Sequence, residues 1–183
     1  RIHGNATAGR AETILLVGSE SGSTWSFAAT LHAALTKIGQ AVHTAPMSSF
    51  DPERYRHARR IVILAATYGD GDAPASARGG LDRLQTSPAE PAIPMAVLGF
   101  GDRSFPAYCA FAQDVARTAE ARGWNMLIPY DTVDRQSPQD FARWGRSLDE
   151  AMRIGLELVH RPALPVASPL TLVSRREYGA EVQ

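Results

Sequence analysis

Residues 13–38 read TILLVGSESGSTWSFAATLHAALTKI, and this stretch decides the fold. It opens with a short, almost entirely apolar run that ends at Gly18. After a turn of serines and glycine, Trp25, Ala28, Leu31 and Leu35 recur at helical spacing. A buried strand that leads through a short turn into an amphipathic helix is typical of parallel sheets with crossover helices. The stretch therefore predicts the first strand–helix unit of an α/β fold.

The same alternation continues along the chain. Further apolar runs predict strands at residues 41–45, 60–66, 93–99 and 124–129. Helical spacing predicts helices over residues 24–38, 107–122 and 138–159, with Ser137 as the N-cap of the last, and a weaker helix after Pro74. Five strands that alternate with helices predict a doubly wound, five-stranded parallel sheet with helices on both faces.

Composition excludes several classes of protein. The chain has 183 residues, and its 19 basic and 19 acidic side chains give a formal net charge of zero. This balance provides no general attraction to nucleic acid or to an anionic membrane. The single cysteine cannot form an internal disulfide, and the five histidines show no ligand spacing, so we expect no metal site. No apolar run approaches the ~20 residues of a membrane helix.

The composition shifts near both ends of the chain. Residues 1–11 show no apolar pattern and are interpreted as a disordered leader or a second linker. From residue 161, repeated prolines interrupt a short apolar sequence, which indicates a linker and then a strand without a partner. We expect one domain over residues 12–160, with residues 161–183 leading into a following domain. The chain is expected to be part of a larger cytoplasmic protein, located at the cytoplasmic face of a membrane if an upstream segment anchors it.

Small hydroxyl residues follow the first strand and lead directly into the first helix. Their hydroxyls, their backbone N–H groups and the positive end of the helix dipole suit a phosphate. The loop lacks the lysine of a nucleotide triphosphatase loop and the triple glycine of a dinucleotide site, which favours one terminal phosphate. An ordinary serine-rich helix cap is the alternative. The residues are Ser19, Glu20, Ser21, Gly22, Ser23 and Thr24.

The loops after the third and fourth strands combine glycines with aromatic residues. In an open parallel sheet, ligands bind outside the carboxyl ends of the strands, where these loops meet the serine loop. Glycines let the backbone approach a flat ligand, and aromatic rings can cover its faces. The first of these loops supplies Ala66, Thr67, Tyr68 and Gly69. The second supplies Gly99, Phe100, Gly101, Asp102, Arg103, Ser104, Phe105, Pro106, Ala107, Tyr108 and Cys109.

These motifs resemble a known family. Residues 12–159 are similar to the FMN-binding, flavodoxin-like domain of diflavin reductases, the group that includes the flavoprotein subunit of sulfite reductase. The strongest match is at residues 66–72, the next at residues 98–109, and the serine loop is similar in type. The resemblance implies a flavodoxin-like sheet of strand order 2-1-3-4-5. Residues 169–183 are similar to the beginning of the FAD-binding barrel that follows this domain in the family.

The resemblance also implies roles for individual residues. The serine loop would hold the ribityl phosphate of FMN, and residues 66–69 and 100–109 would line the isoalloxazine ring. Tyr68 and Phe105 would stack on the ring, and Asp134, in the loop after the fifth strand, would be an acidic residue near it. Apart from the resemblance, the missing side chain of Gly101 predicts that its peptide could turn its carbonyl toward the flavin on one-electron reduction. The chain departs from the family at Glu20, at Phe105, where tyrosine is usual, and at the pair Pro106 and Ala107.

The function implied is electron transfer. The domain would accept electrons from an FAD domain reduced by NADPH, in the same chain, and pass them to an acceptor that the sequence does not identify. No nucleic acid and no membrane contact of this fragment are expected. The alternatives are a free-standing flavodoxin or quinone reductase and, from another class, a phosphoacceptor receiver domain, which needs an acidic pair after the first strand and an aspartate after the third.

Charged residues form two groups. Carboxylates are expected together at the loop edge and predict a negative field that suits a basic partner; they are Asp70, Asp72, Asp102, Asp131 and Asp134. Arginines cluster before the third strand and are interpreted as a solvated face; they are Arg54, Arg56, Arg59 and Arg60. Cys109 is expected to be a small buried residue rather than a nucleophile.

Overall fold

The computed structural model describes residues 2–68, 70–90 and 92–162. Five parallel strands form one sheet: β1 (Thr13–Gly18), β2 (Val42–Pro46), β3 (Arg60–Ala66), β4 (Met95–Gly101) and β5 (Asp131–Asp134). The helices are α1 (Gly22–Lys37), α2 (Ala75–Thr86), α3 (Ala110–Ala121) and α4 (Pro138–Met152). The strand order is β2-β1-β3-β4-β5, which confirms the predicted doubly wound topology.

The sheet separates two layers of apolar core. Every residue of β1 and β3 is buried, as a strand covered on both faces requires. One layer holds Phe50 and Trp124 with α3, and the other holds Phe27, Phe141 and Trp144 from α1 and α4. No helix in the described parts of the chain is both long enough and apolar enough to cross a bilayer.

The fifth strand lies later than the sequence pattern predicts. Residues 124–129 do not form it: Trp124 turns into the core against Phe50, with ring centroids 5.9 Å apart, and Met126 makes an isolated bridge with Met95. Pro129 has no N–H to donate to a ladder. The continuous ladder with β4 therefore begins beyond the proline, at Asp131. Asp134 ends this strand instead of lying in the loop after it.

Other elements also differ from their predicted bounds: α1 begins two residues earlier than predicted, and β2 lies one residue later. Strand β4 runs two residues later than predicted, and α3 begins at Ala110 because Cys109 adopts a left-handed conformation with a φ of 51°. Helix α4 is confirmed at its N-cap, where the Ser137 hydroxyl accepts the Asp140 N–H. It ends at Met152 and not at residue 159, since Arg153 is left-handed with a φ of 53°.

The residues after α4 form an extended segment, here called the strap (residues 154–160). Its alternate residues Leu156, Leu158 and His160 are buried. Leu158 lies so close to Gly145 that a Cβ there would come within 2.8 Å of it. The His160 ring stacks on Phe27 at 3.8 Å between centroids, and its Nδ1 lies 2.8 Å from the Thr30 hydroxyl. The strap therefore fills the apolar gap between α1 and α4. The sequence pattern placed these residues in the last helix because their leucines also fit helical spacing.

The expectation that residues 1–11 form an unstructured leader is wrong for the described part. The Asn5 side chain accepts the Thr44 N–H at 2.7 Å and donates to the Thr44 carbonyl at 3.1 Å. The Ala6 N–H donates to Val42, and both Ala8 and Ala11 are buried. The segment thus extends the β2 edge of the sheet. Residues 163–183, expected to lead into a following domain, lie outside the described residues.

Arg60 was expected to lie on a solvated face with the neighbouring arginines, and this expectation is wrong. Its side chain is buried at the start of β3, where its guanidinium donates to the Thr13 hydroxyl at 2.8 Å and to the Gln40 side chain at 2.9 Å. Burial lowers its pKa from the usual value. Since a buried charge needs such partners, Arg60 joins β1 and β3 and does not belong to the surface group.

The buried histidines predict a pH-dependent stability. Burial lowers the pKa of both His32 and His160 from the ordinary value. The folded state therefore resists protonation that the unfolded chain accepts, so acid favours unfolding. We expect the free energy of unfolding to fall as the pH drops below about 6.5, the unfolded pKa. Urea titrations from pH 8 to 5 would measure the free energy of unfolding, and this free energy should depend less on pH in His160→Phe than in the parent. An equal pH dependence in both proteins would contradict the contribution of His160.

Candidate functional site

An open cleft of about 380 Å³ lies at the carboxyl edge of β1, β3 and β4. Such an edge is where doubly wound sheets bind ligands, and the volume is in the range of small-molecule sites. The structure brings most of the predicted residues together there. The lining residues are Ser21, Ser23, Thr24, Ala66, Thr67, Tyr68, Phe100, Gly101, Asp102, Phe105, Ala107, Tyr108, Cys109, Arg135 and Gln136.

Eight predicted residues do not line the cleft but flank those that do. They are Ser19, Glu20, Gly22, Gly99, Arg103, Ser104, Pro106 and Asp134. Gly69 lies outside the described residues. Conversely, the sequence did not point to Arg135 and Gln136. Both follow β5 with left-handed φ values of 46° and 57°, and nothing in an Arg–Gln pair marks it in advance as part of a site.

The serine loop is held in shape by its own hydroxyls. The buried Ser19 hydroxyl accepts the Ser21 N–H at 3.0 Å, and its carbonyl accepts the Trp25 indole N–H at 2.9 Å. Ser21 caps α1 by accepting the Ser23 N–H at 3.2 Å, and the two hydroxyls are 2.6 Å apart. Glu20 is exposed. The loop is thus both a helix cap and a preformed row of donors at the positive end of a 16-residue helix.

Substitutions in this loop separate the two roles. Ser21→Ala should lower the free energy of unfolding of the flavin-free protein by about 0.5–2 kcal/mol, because it removes the N-cap. Thr24→Val should leave that stability nearly unchanged. It should weaken FMN binding by about 1–1.5 kcal/mol, because it removes a hydroxyl from the cleft wall. Fluorescence titration would measure the affinity.

Riboflavin, which lacks the phosphate, is the matched ligand for Thr24→Val and should bind the variant as it binds the parent. Equal loss for both ligands, or no loss of FMN affinity, would show that the loop is only a cap.

Two aromatic side chains stand exposed at the rim of the cleft. Tyr68 follows β3 and is 40% exposed, whereas Phe105 follows β4 and is 47% exposed. Large rings more often bury their area, so rings left open beside a cleft are available to a flat ligand. Tyr108 also lines the cleft but is half-buried, with the Arg103 guanidinium 5.4 Å from its ring centroid. Tyr68 and Phe105 are therefore the more exposed of the three rings.

Small residues let the loops after β3 and β4 pack together. Gly71 is left-handed with a φ of 91°, and a Cβ there would lie 2.8 Å from the Ala107 Cβ. Two backbone hydrogen bonds close the loop that contains Tyr68. The Tyr68 N–H donates to the Asp72 carbonyl, and the Gly71 N–H donates to the Tyr68 carbonyl. Ala107, one of the departures from the family pattern, therefore fits the space beside Gly71.

The carbonyl of Gly101, predicted to turn toward the flavin on reduction, is engaged in a hydrogen bond in this structure. Its carbonyl accepts the Arg135 N–H at 2.8 Å, next to the ladder between β4 and β5. A Cβ on Gly101 would lie 2.9 Å from the Cys109 sulfur. The glycine is therefore required by close packing under the cleft floor, and turning its carbonyl would break an existing hydrogen bond. Cys109 is buried, and burial raises the pKa of its thiol to about 11, so it remains protonated.

The predicted negative edge is only partly correct. Asp134 is 16% exposed and lies 3.4 Å from the Arg135 guanidinium and 4.0 Å from that of Arg103. Asp131 pairs with Arg143 at 2.9 Å. Asp102 accepts hydrogen bonds from the Ser104 N–H and hydroxyl, which lower its pKa. The carboxylates near β5 are thus engaged with arginines or with the backbone.

The cleft fits FMN in its donor set and its shape. A row of hydroxyls at a helix N-terminus suits a phosphate, and the two exposed rings suit the faces of an isoalloxazine. Between them, residues 66–67 and 100–101 offer strand-end backbone to the ring edge. The hydroxyls and the backbone N–H groups of the serine loop can hold the phosphate without a cationic side chain.

The family model described as Flavodoxin matches residues 15–144. The chain belongs to the flavodoxin family. Its fold agrees with that of solved flavodoxins: one from Streptococcus pneumonia TIGR4 superposes with a TM-score of 0.64 at 20% identity, over 78% of this chain and 95% of that one. Flavodoxin 2 from Bacillus cereus gives 0.62 at 21% identity, over 79% and 97%. FMN is the cofactor of this family.

The sequence relatives are longer proteins. The sulfite reductase [NADPH] flavoprotein alpha-component of Thiocapsa roseopersicina is 28% identical over 171 residues, which are 89% of this chain and 31% of that protein. NADPH oxidoreductase A of Dictyostelium discoideum is 28% identical over 134 residues, 72% of this chain and 21% of that protein. The chain thus spans between a fifth and a third of the length of these curated relatives.

Proposed function

We propose that the chain is the FMN-binding electron-transfer domain of an NADPH-dependent flavoprotein. It receives electrons from an FAD domain that NADPH reduces, in the same polypeptide, and passes them to an acceptor. The observation that carries the proposal is the open cleft with Tyr68 and Phe105 exposed at its rim. A redox cofactor held between such rings lies at the surface, where a second protein can approach it.

The residues of the chain bind and orient the cofactor. FMN, when bound, supplies the redox chemistry, since the protein contributes binding, orientation and electrostatics. The serine loop fixes the phosphate end, and the packed Gly71–Ala107 contact holds the two aromatic loops at a set separation. The protonated thiol of Cys109 and the engaged carbonyl of Gly101 form the floor. No described residue of the cleft has the arrangement of a general base or nucleophile, which suits a carrier domain.

The relatives support a place in a longer chain. Those named above are NADPH-dependent flavoproteins three to five times as long as the matched segment. The second candidate, a free-standing flavodoxin, is favoured by solved flavodoxins that the chain covers almost completely. An antibody against this chain would separate the two: detection of a native protein about three times as long supports the multidomain reductase, and a band of 19.8 kDa supports the flavodoxin.

The relay itself is tested with purified components. Heat release should identify FMN as the bound flavin. NADPH alone should leave the domain oxidised, whereas NADPH with a catalytic amount of an FAD-containing, NADPH-dependent reductase should reduce it. Ferric cytochrome c should then be reduced only when all components are present. Direct oxidation of NADPH with a quinone would favour a quinone reductase, and failure to bind FMN would overturn the proposal.

A further inference from the structure

Two residues, Ser23 and Gln136, stand between the cleft and a second, smaller cavity. Both line the cleft, and both also line the adjoining cavity of about 260 Å³, here called the side cavity. The rest of the side cavity is formed by the first two turns of α1 and by His160 and Pro162. No other described residue lines both spaces. Ser23 and Gln136 therefore form a partition between them.

The partition lies at the end of the cleft that suits a phosphate. Ser23 is in the first turn of α1, and its hydroxyl lies 2.6 Å from that of Ser21, the N-cap. These hydroxyls and the helix N-terminus are the groups that can hold the phosphate of FMN. Gln136 reaches the same place from the opposite direction, after β5. A phosphate on the serine loop would therefore be next to Gln136 as well.

The backbone of Gln136 is held in place, whereas its side chain is available. The Arg135 N–H donates to the Gly101 carbonyl at 2.8 Å, and the Ser137 N–H donates to the Asp134 carbonyl at 3.0 Å. Between these hydrogen bonds, Arg135 and Gln136 are both left-handed, a conformation that is costly for residues other than glycine and is often found at binding sites. The Gln136 side chain is exposed and makes no hydrogen bond with another described residue. Its amide can therefore turn to a ligand.

We propose that Gln136 determines the specificity of the cleft for a flavin that ends in a phosphate monoester. The side-chain N–H groups of Gln136 donate to this phosphate, and Gln136 and Ser23 together close the end of the cleft. In FAD the same phosphate continues into a second phosphate and an adenosine, for which the closed end leaves no path. The inference rests on the proposed function, because it names the residue that selects the cofactor of the electron-transfer domain.

A neutral donor has a large influence here because the neighbouring charges nearly cancel. Arg135 also lines the cleft, but its guanidinium lies 3.4 Å from a carboxylate oxygen of Asp134. This pair leaves little net positive charge for a phosphate. Hydrogen bonds to an ionised acceptor are stronger than those between neutral groups. One amide can therefore set the preference between flavins that differ only beyond the ribityl chain.

Two substitutions separate the donor from the partition. Gln136→Leu keeps a side chain of similar size without a donor, whereas Gln136→Ala removes both. Fluorescence titration of the flavin-free protein would measure its affinity for riboflavin, FMN and FAD. Both variants should bind FMN about tenfold more weakly or worse and bind riboflavin as the parent does. Gln136→Ala should bind FAD more tightly than Gln136→Leu does, because the side cavity then opens into the cleft.

Gln139→Leu is the matched control. Gln139 is an exposed glutamine in the first turn of α4 and lines neither space, so its substitution should change none of the three affinities. The phosphorus NMR signal of bound FMN should shift in Gln136→Leu and stay in place in Gln139→Leu. Retained riboflavin binding would verify that each variant is folded. Unchanged FMN affinity in Gln136→Leu, or equal losses for FMN and riboflavin, would overturn the proposal, and equal FAD affinities of the two Gln136 variants would contradict the partition.

Failure of this inference is distinguishable from failure of the proposed function. A parent chain that bound none of the three flavins would contradict the proposed function itself. A parent chain that bound FMN, with Gln136 variants that bound it equally well, would keep that function and lose the role assigned to Gln136.

Discussion

The double variant Tyr68→Ala/Phe105→Ala is expected to lose most of its affinity for FMN. Both rings are exposed at the cleft rim, and a flat flavin between them would bury one face on each. Stacking contributes about 0.5–1.5 kcal/mol per aromatic pair beyond the area buried. The burial of apolar area adds about 25 cal/mol per Å². About 2 kcal/mol per ring corresponds to an affinity loss of about 30-fold for each single variant and about 1000-fold for the double.

The measurement is a fluorescence titration of the flavin-free protein with FMN and with riboflavin. Both ligands should weaken equally, because the rings contact the isoalloxazine that the two share. Tyr68→Phe and Phe105→Tyr keep a stacking face and are the matched controls, which should change affinity little. Retained affinity in the double variant would show that these rings cover the protein and not the cofactor.

The sequence allowed the central fold to be predicted because its signals are local. Strands β1 and β3 are continuous apolar runs, and the serine loop and aromatic loops each follow a strand directly. Strand β5 was misplaced because Trp124 and Met126 give the same apolar signal while packing as an irregular segment. Three of its four residues, Asp131–Asp134, are polar, and they form a strand only because they pair with β4.

The site was predicted less completely than the fold. Residues of the cleft wall were identified from strand ends, but Arg135 and Gln136 enter the cleft through left-handed backbone that no sequence pattern indicates. Arg60 was assigned to the surface because its neighbours are arginines, although Thr13 and Gln40 hold it inside.

The strap and the cleft meet through one buried ring. Phe27 of α1 stacks on His160 of the strap at 3.8 Å and lies 5.2 Å from the ring of Phe100, a residue that lines the cleft. It also packs edge-on against Phe141 at 4.9 Å. The end of the described chain is thus connected to the cofactor site by two ring contacts, and Phe27 is the residue common to both.

Phe27→Ala is therefore expected to affect stability, strap and cleft together. Removing a fully buried phenylalanine typically lowers the free energy of unfolding by about 3–5 kcal/mol, to be measured by urea denaturation. Phe50→Ala is the matched control, because Phe50 is equally buried in the other core layer and should cost about as much. Only Phe27→Ala should also weaken FMN binding and expose residues 154–160 to thermolysin, since only Phe27 contacts both Phe100 and His160. If Phe50→Ala produced the same two changes at equal stability, the effect would be general loosening of the fold, and the connection through Phe27 would be wrong.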